Sequence, residues 1–434
     1  LNIMSSTITD FSNAGTVSVD AGTLVLNVGG TDTGTYALGA NTLTVNTSRS
    51  FNSGISFTGT GPLLFSGGTL TFGAAHTFLS GGPAITLSGS ILSAANALNI
   101  QSAFSWTSGS ATGVGALNTS GTTTVSTSGA TLTTKIWNNS GTVNLGGASN
   151  LNLNNVSAFN NLSGGIVNLN GTGSFNGGGS APNTASNNLG GVINKTASAG
   201  GSLNIMSSTI TDFSNAGTVS VDAGTLVLNT TSTTQSGTVN LPSGTTLSAG
   251  GQNLTNSGTI SGAGTVNLGA ATLTNNGIIA PGGSGAAGTL SVTGNFTNGA
   301  SGLIEIELGG LTAGTQYDVL ATSLALNRGG TVAFSEINGF VTDGGQTFTP
   351  FTHASSTGTF AITNPTDVTL APTYGATSTS FLSSVVTRFN GVTNSAWEVG
   401  TNWTRGVPTA SKDAIVNVSG LTKTATVSTG TQIA

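Results

Sequence analysis

The chain has 434 residues, 5% of them charged, with a net charge of −5 and no cysteine, whereas ordinary globular proteins carry about 25% charged residues. Its eight Lys and Arg are scattered singly, so no basic stripe exists for nucleic acid or anionic lipid, and no apolar run is long enough to span a membrane. Hydrophobic residues at 36%, set in short alternating runs, argue against disorder despite 67 glycines.

Residues Leu1 to Asn27 recur letter for letter as Leu203 to Asn229, 202 positions later. Such reuse of a long unit suits an extended array better than a catalyst. No secretory leader is visible, and Leu1 opens inside a repeat, which reads as an internal fragment of a longer chain. A finer beat marks a turn followed by a strand: Asn13-Ala14-Gly15-Thr16-Val17, then Asn139-Ser140-Gly141, Asn215-Ala216-Gly217, Asn256-Ser257-Gly258 and Asn275-Asn276-Gly277. Looser versions at Gly34, Gly54, Gly121, Gly165, Gly191, Gly237 and Gly302 set a period of about 20 to 26 residues, the length of one solenoid coil.

Within each beat, four- or five-residue runs alternate with period 2, and no window shows a run at 3.6. The pattern predicts an all-β fold, a parallel β-helix (β-solenoid), with Val17, Val19, Leu24 and Leu26 pointing inward. Val219, Val221, Leu226 and Leu228 do so in the second copy. Asn and Gly at the corners are expected to supply positive φ, and stacked Asn side chains to hydrogen-bond from coil to coil. Zero Cys is compatible with export, where an unpaired thiol is a liability.

Coils are assigned to residues 1–300, with a Gly/Asn/Ser-rich irregular stretch from Asn176 to Asn188 read as a loop bulging from a corner. Gly177-Gly178-Gly179 within it lacks the Lys-Ser/Thr and helix that a phosphate loop needs. Between Gly288 and Ala361 the texture changes: Gly288-Thr289-Leu290-Ser291-Val292, Leu303-Ile304-Glu305-Ile306-Glu307-Leu308, Tyr317-Asp318-Val319-Leu320, Gly329-Gly330-Thr331-Val332 and Gly358-Thr359-Phe360 follow in order. This order resembles the closing coils of bacterial autotransporter-type and related giant surface proteins, and Phe104-Ser105-Trp106-Thr107-Ser108-Gly109 upstream resembles the same group. The resemblance covers most of the chain and implies a right-handed β-helix outside the cell.

Closing coils are placed at 301–363 and a linker or irregular connection at 364–390, where Pro365 and Pro372 lie in a Thr/Ser-rich run. The start of a further β module is placed at 391–434, where Trp397-Glu398-Val399-Gly400-Thr401-Asn402-Trp403 and Gly406-Val407-Pro408 resemble the opening of another surface module. That pattern ordinarily carries two successive acids where this chain has Lys412-Asp413.

Few residues invite chemistry. Asp10 and Asp20, repeated as Asp212 and Asp222, raise calcium, but two acids ten residues apart are read as outward carboxylates. Glu305 and Glu307 share one face of a strand, and neighbours on one strand do not flank a scissile bond. His76 and His353 have no second ligand at metal spacing. The pairs Thr42/Thr44, Thr69/Thr71, Thr131/Thr133 and Thr272/Thr274 are too intermittent for an ice-binding face. Trp106, Trp137, Trp397 and Trp403 are read as packing residues, although an exposed row would bind sugars.

No catalytic, metal-ligating or cofactor-binding set is assigned, and no enzyme is expected. The first reading is a structural segment of an extracellular fibre or cell-surface protein that associates with itself. The alternative is an adhesin that binds a glycan through the Asn176 loop or the tryptophan region. A polysaccharide lyase or hydrolase comes third, because such enzymes cluster cations and acids in a cleft and this chain is poor in both.

Overall fold

The computed structural model describes residues 2–3, 8–126, 129–196, 202–206, 210–416 and 425–426, and for 2–3 and 202–206 the backbone alone. The chain divides into two compact units, Leu1–Gly258 and Thr259–Ala434. Both are built from short strands, and the one helical element among the described residues is a 3-10 turn, Gly400–Asn402.

The first unit is a parallel β-solenoid, as the period-2 runs predict. Each coil lays down strands on three ladders in turn. The first ladder runs from Thr23–Leu26 through Thr42–Val45, Leu63–Phe65 and on to Thr218–Val221 and Thr238–Leu241. The second includes Thr69–Phe72, Ala130–Thr133 and Leu151–Asn154, and the third includes Leu98–Ile100, Ile136–Asn139, Ala158–Asn161 and Asp212–Asn215. Register is set by the pleat. Leu24 lies over Leu43, Leu43 over Leu63 and Leu63 over Ile85, all inward, while Thr23, Thr42 and Thr44 face out. A one-residue slip would turn such a column into water, and each buried Leu or Ile is worth about 1.5–3 kcal/mol. Of the eight residues expected inside, seven are buried. Val17 is half-buried on the short strand Thr16–Ser18.

Two identical sequences occupy different faces. Thr23–Leu26 lies on the first ladder, but its copy Thr225–Leu228 lies on the second, and Thr218–Val221 holds the first-ladder place. All three faces demand the same alternation, so the same run fits any of them.

Several corner glycines supply positive φ as expected, among them Gly22, Gly54, Gly190 and Gly224, but those of the Asn-x-Gly corners are required for a different reason. Gly141, Gly217, Gly237 and Gly258 do not have positive φ. They stack instead: a Cβ on Gly217 would lie 2.3 Å from the Gly191 carbonyl oxygen, one on Gly237 2.1 Å from that of Gly217, and one on Gly258 2.0 Å from that of Gly237. Close approach of successive backbones excludes a side chain there.

The Asn176–Asn188 stretch is more regular than the sequence suggests. Phe175–Gly178 and Thr184–Asn187 are ladder strands, and the intervening corner is closed by buried Asn183, whose Nδ2 donates to the Gly178 carbonyl at 3.0 Å.

The second unit begins with parallel coils of its own. Thr259–Gly262 pairs with Ile278–Pro281, and Leu303–Leu308 with Thr331–Glu336, itself paired with Ala361–Thr363. Residues 364–390, expected to be a linker or irregular connection, fold into an antiparallel hairpin, Val368–Tyr374 with Ser378–Arg388. Ser378–Arg388 pairs antiparallel with Thr347–Thr352 and parallel with Lys412–Ile415. Pro372 is accommodated there because the hairpin strand carrying it pairs on one side.

Candidate functional surface and buried ionic groups

The dominant polar feature of the first unit is amide side chains stacked in columns. One column is internal, at the last position of third-ladder strands. Asn139 donates to Asn161, Asn161 to Asn187 and Asn187 to Asn215, each at 2.8 Å, and Asn215 donates to Gln235 at 2.8 Å. All five are buried. The second amide hydrogen ties the corner, as in Asn139 Nδ2 to the Gly141 carbonyl at 2.9 Å and Asn161 Nδ2 to that of Gly165 at 3.0 Å. Each buried polar group is thus satisfied by its own kind from the next coil. The expected Asn stacking is present and lies inside as well as outside.

A second column lies on the outer side of the same strands. Asn99 donates to the Thr77 hydroxyl, Asn118 to Asn99, Asn138 to Asn118 and Asn160 to Asn138, at 2.8–3.0 Å, and the Ser186 hydroxyl donates to Asn160 at 2.9 Å. A shorter one, Asn194 to Asn168 to Asn144, runs along the first ladder. The outward residues beside them are Ser, Thr, Ala, Ile and Val.

The cations of this unit are all buried. Arg49 is paired with Asp32 through Nε at 2.9 Å and Nη2 at 2.7 Å, and its remaining protons go to the Val28, Gly29 and Phe11 carbonyls. Tyr36 donates to the same Asp32 at 3.0 Å, and burial followed by that carboxylate pushes its pKa well up. Lys135 reaches the Ala94 carbonyl at 3.2 Å, and burial lowers its pKa to about 8. Burial also lowers the pKa of Lys195, inward on the strand Val192–Lys195. By contrast Asp10, Asp20, Asp212 and Asp222 are exposed. The described residues hold no group of three or more His, Cys, Asp or Glu side chains that could bind a metal ion.

The remaining sequence candidates fall apart from one another. Trp106 and Trp137 are fully buried, 5.9 Å apart, and continue into Phe159 and Phe175 as an aromatic stack inside the coils. In the second unit Trp403 is buried, with half-buried Trp397 packed edge-on at 4.6 Å. Thr42/Thr44 lie on the first ladder and Thr69/Thr71 and Thr131/Thr133 on the second, so they form no single row. His76 packs among Phe57, Phe72 and Phe78, and burial lowers its pKa to about 4.

His353 is buried directly after the strand Thr347–Thr352 of the second unit, its pKa lowered first by burial and then by Arg328. Arg328 follows Asn275 and Asn298 in a short internal column of that unit and ends it. The next coil offers Gly358 at the column position, so the longer side chain fills the gap, donates to the Gly358 carbonyl at 2.9 Å and lies over Tyr374 at 4.3 Å.

Glu305 is exposed, whereas Glu307 is half-buried, with Oε1 accepting from the Gly285 amide, and its charge helps to raise the pKa of Asp318, an acid of the Tyr317-Asp318-Val319-Leu320 motif. Lys412 lies 3.7 Å from Asp343, and Asp413 is exposed. Asp413 borders an open depression of about 430 Å³ lined also by Gly344, Ser383 and Ser411, with no cluster of acid–base groups. No protein-family model matches the chain, and no curated protein matches its sequence.

Proposed function

We propose that this chain is a structural solenoid segment of a repetitive extracellular fibre or bacterial surface protein, and that its activity is association with further copies of itself. The observation that carries the reading is the outward surface of the first unit. Arg49, Lys135 and Lys195 are buried, the exposed charges are four Asp, and a hydrogen-bonded amide column runs from Asn99 to Asn160. Side chains locked to one another lose little entropy on docking, and a column spaced at the strand repeat of about 4.8 Å is matched by a second column of the same repeat. A copy of the same column also brings no repelling charge, because the outward acid of this ladder, Asp212, lies two coils beyond Asn160. The burial of Trp106 and Trp137 removes the aromatic platforms that a glycan-binding face would use, and the lack of an exposed cation in this unit disfavours acidic polysaccharide.

Sedimentation velocity and electron microscopy test the reading. The chain should associate in a concentration-dependent way, and Asn118→Asp with Asn138→Asp, which sets like charges along the outer column, should weaken that association at least tenfold at low salt without unfolding the coils. A wild-type chain that stays a monodisperse monomer at high concentration, with no filament or bundle, overturns it.

A further inference from the structure

The second unit contains a pair of acids that the structural role does not use. Asp318 is 1% exposed, and its carboxylate ties together three segments. Oδ1 accepts from the Gly288 amide at 2.9 Å, Oδ2 accepts from the Glu307 amide at 2.8 Å, and the Asp318 amide donates back to the Glu307 carbonyl at 3.1 Å. Glu307 in turn holds the glycine-rich loop 282–288, with Oε1 accepting from the Gly285 amide at 2.9 Å. Its Oε2 is buried and has no hydrogen-bond partner. Between the two acids the chain makes an excursion, residues 309–317, closed by the Gly309 amide on the Gln316 carbonyl at 2.6 Å.

We propose that Glu307 and Asp318 form a proton-operated clamp on the loop 282–288 and the excursion 309–317, closed while Asp318 holds its proton and loosened when that proton leaves to solvent. When Asp318 ionises, a buried charge is added beside that of Glu307, and the desolvation it suffers weighs against the closed arrangement of the loop.

The surroundings leave the pair on its own. Loop 282–288, strand Thr289–Asn298 and strand Val319–Thr322 bring no ionisable side chain. Glu305 points to solvent, Tyr317 turns its hydroxyl to the Thr349 amide, and Glu336 on the adjoining strand is held by Arg405. Burial, and then the Glu307 charge, raise the pKa of Asp318 to about 7, against the pull of its two backbone donors.

A carboxyl whose pKa is raised in the closed state stabilises that state fully below its open-state value near 3.9 and loses the contribution as pH rises to about 7, after which the curve flattens. The test is amide hydrogen exchange of residues 282–288 and 309–317 from pH 4.5 to 9, corrected for intrinsic rates, with carboxyl NMR of Asp318. Protection should fall more than tenfold between pH 4.5 and 7 and then level, with an Asp318 midpoint near 7. Asp318→Asn should abolish the slope, and Glu307→Gln should lower the midpoint. A midpoint below 5, a slope that survives Asp318→Asn, or a midpoint indifferent to Glu307→Gln overturns the clamp. Because the readout is local, it stands or falls independently of self-association.

Discussion

Asn160 and Asn161 are adjacent, chemically identical and placed on opposite sides of one strand, so replacing each by alanine isolates what burial adds to an amide ladder. Asn161 is 0% exposed. Its Nδ2 lies at 2.8 Å from Asn187 Oδ1, 3.0 Å from the Gly165 carbonyl and 3.1 Å from the Val192 carbonyl, and its Oδ1 accepts from Asn139 at 2.8 Å. Asn161→Ala leaves an Asn139 N–H and an Asn187 oxygen unpaired where water does not replace the lost partner, and takes one of two bonds from the Gly165 carbonyl, which keeps the Val192 amide at 2.9 Å. At about 1–3 kcal/mol for each buried orphan, with partial relaxation of the corner, the loss is about 3–5 kcal/mol. Asn160 makes two comparable bonds, to Asn138 and from Ser186, both at 2.9 Å, but on the half-buried outer side where water substitutes. Asn160→Ala should cost under about 1 kcal/mol. Solenoids open coil by coil, so the assay is native-state hydrogen exchange at residues 158–161 and 184–187. Asn161→Ala should raise the local opening constant by about a hundredfold or more, at 1.4 kcal/mol per factor of ten, and Asn160→Ala by less than about tenfold. Equal effects from the two would refute the argument that the internal column holds the corners.

The corner and the core offer two further checks. Gly217→Val places a Cβ 2.3 Å from one backbone oxygen and 2.5 Å from another, so thermal unfolding should show a loss of at least about 2 kcal/mol, whereas Ser220→Thr on the outer side should change stability by less than about 0.5 kcal/mol. Burial among Phe57, Phe72 and Phe78 holds the folded-state pKa of His76 below its unfolded value, so its contribution is full above about 6.5 and is lost as pH falls toward 4. The unfolding midpoint should drop over that window less in His76→Phe than in the wild type, and identical pH profiles would show that His76 is not the titrating group.

The fold was legible because its strongest signals repeat. Alternation assigned Leu24, Leu26, Leu226 and Leu228 to the interior, and Asn-x-Gly marked the corners. What stayed hidden depends on which coils meet. Asp32 and Arg49 lie 17 positions apart, close to one coil length, and nothing local to either announces the partner. Lys195 was more accessible to reasoning: in Val192-Ile193-Asn194-Lys195 it shares parity with buried Ile193, and parity outweighs the preference of a cation for water. Asp318 draws no attention within Tyr317-Asp318-Val319-Leu320 because the excursion before it breaks the period, and with the period lost the sequence no longer tells which wall the carboxyl meets. The hairpin at 368–388 was missed for a related reason, since Pro and Thr-rich composition signals irregularity on average and an edge position suspends that rule.

The duplicated segment shows at what scale this solenoid is modular. In the first copy Asn13 is buried, its Nδ2 donates to the Thr35 carbonyl at 3.0 Å, and Gly15 lies where a Cβ on Gly34 would come within 2.0 Å of its oxygen. In the second copy Asn215 donates to the Thr238 carbonyl at 3.2 Å, and a Cβ on Gly237 would come within 2.1 Å of the Gly217 oxygen. The corner geometry is the same, yet the first copy leads into the strand Thr16–Ser18 and on to the first ladder at Thr23, whereas the second leads directly onto the first ladder at Thr218. A corner that reproduces itself at two places cannot owe its form to either face. It owes it to the Asn-x-Gly-Thr sequence and to a similar glycine one coil away. The transferable piece is therefore one corner with its following strand, and adding or removing one such piece turns everything downstream by one face while every inward residue stays inward. Asp20 and Asp222, equivalent letter for letter, accordingly follow strands on different ladders.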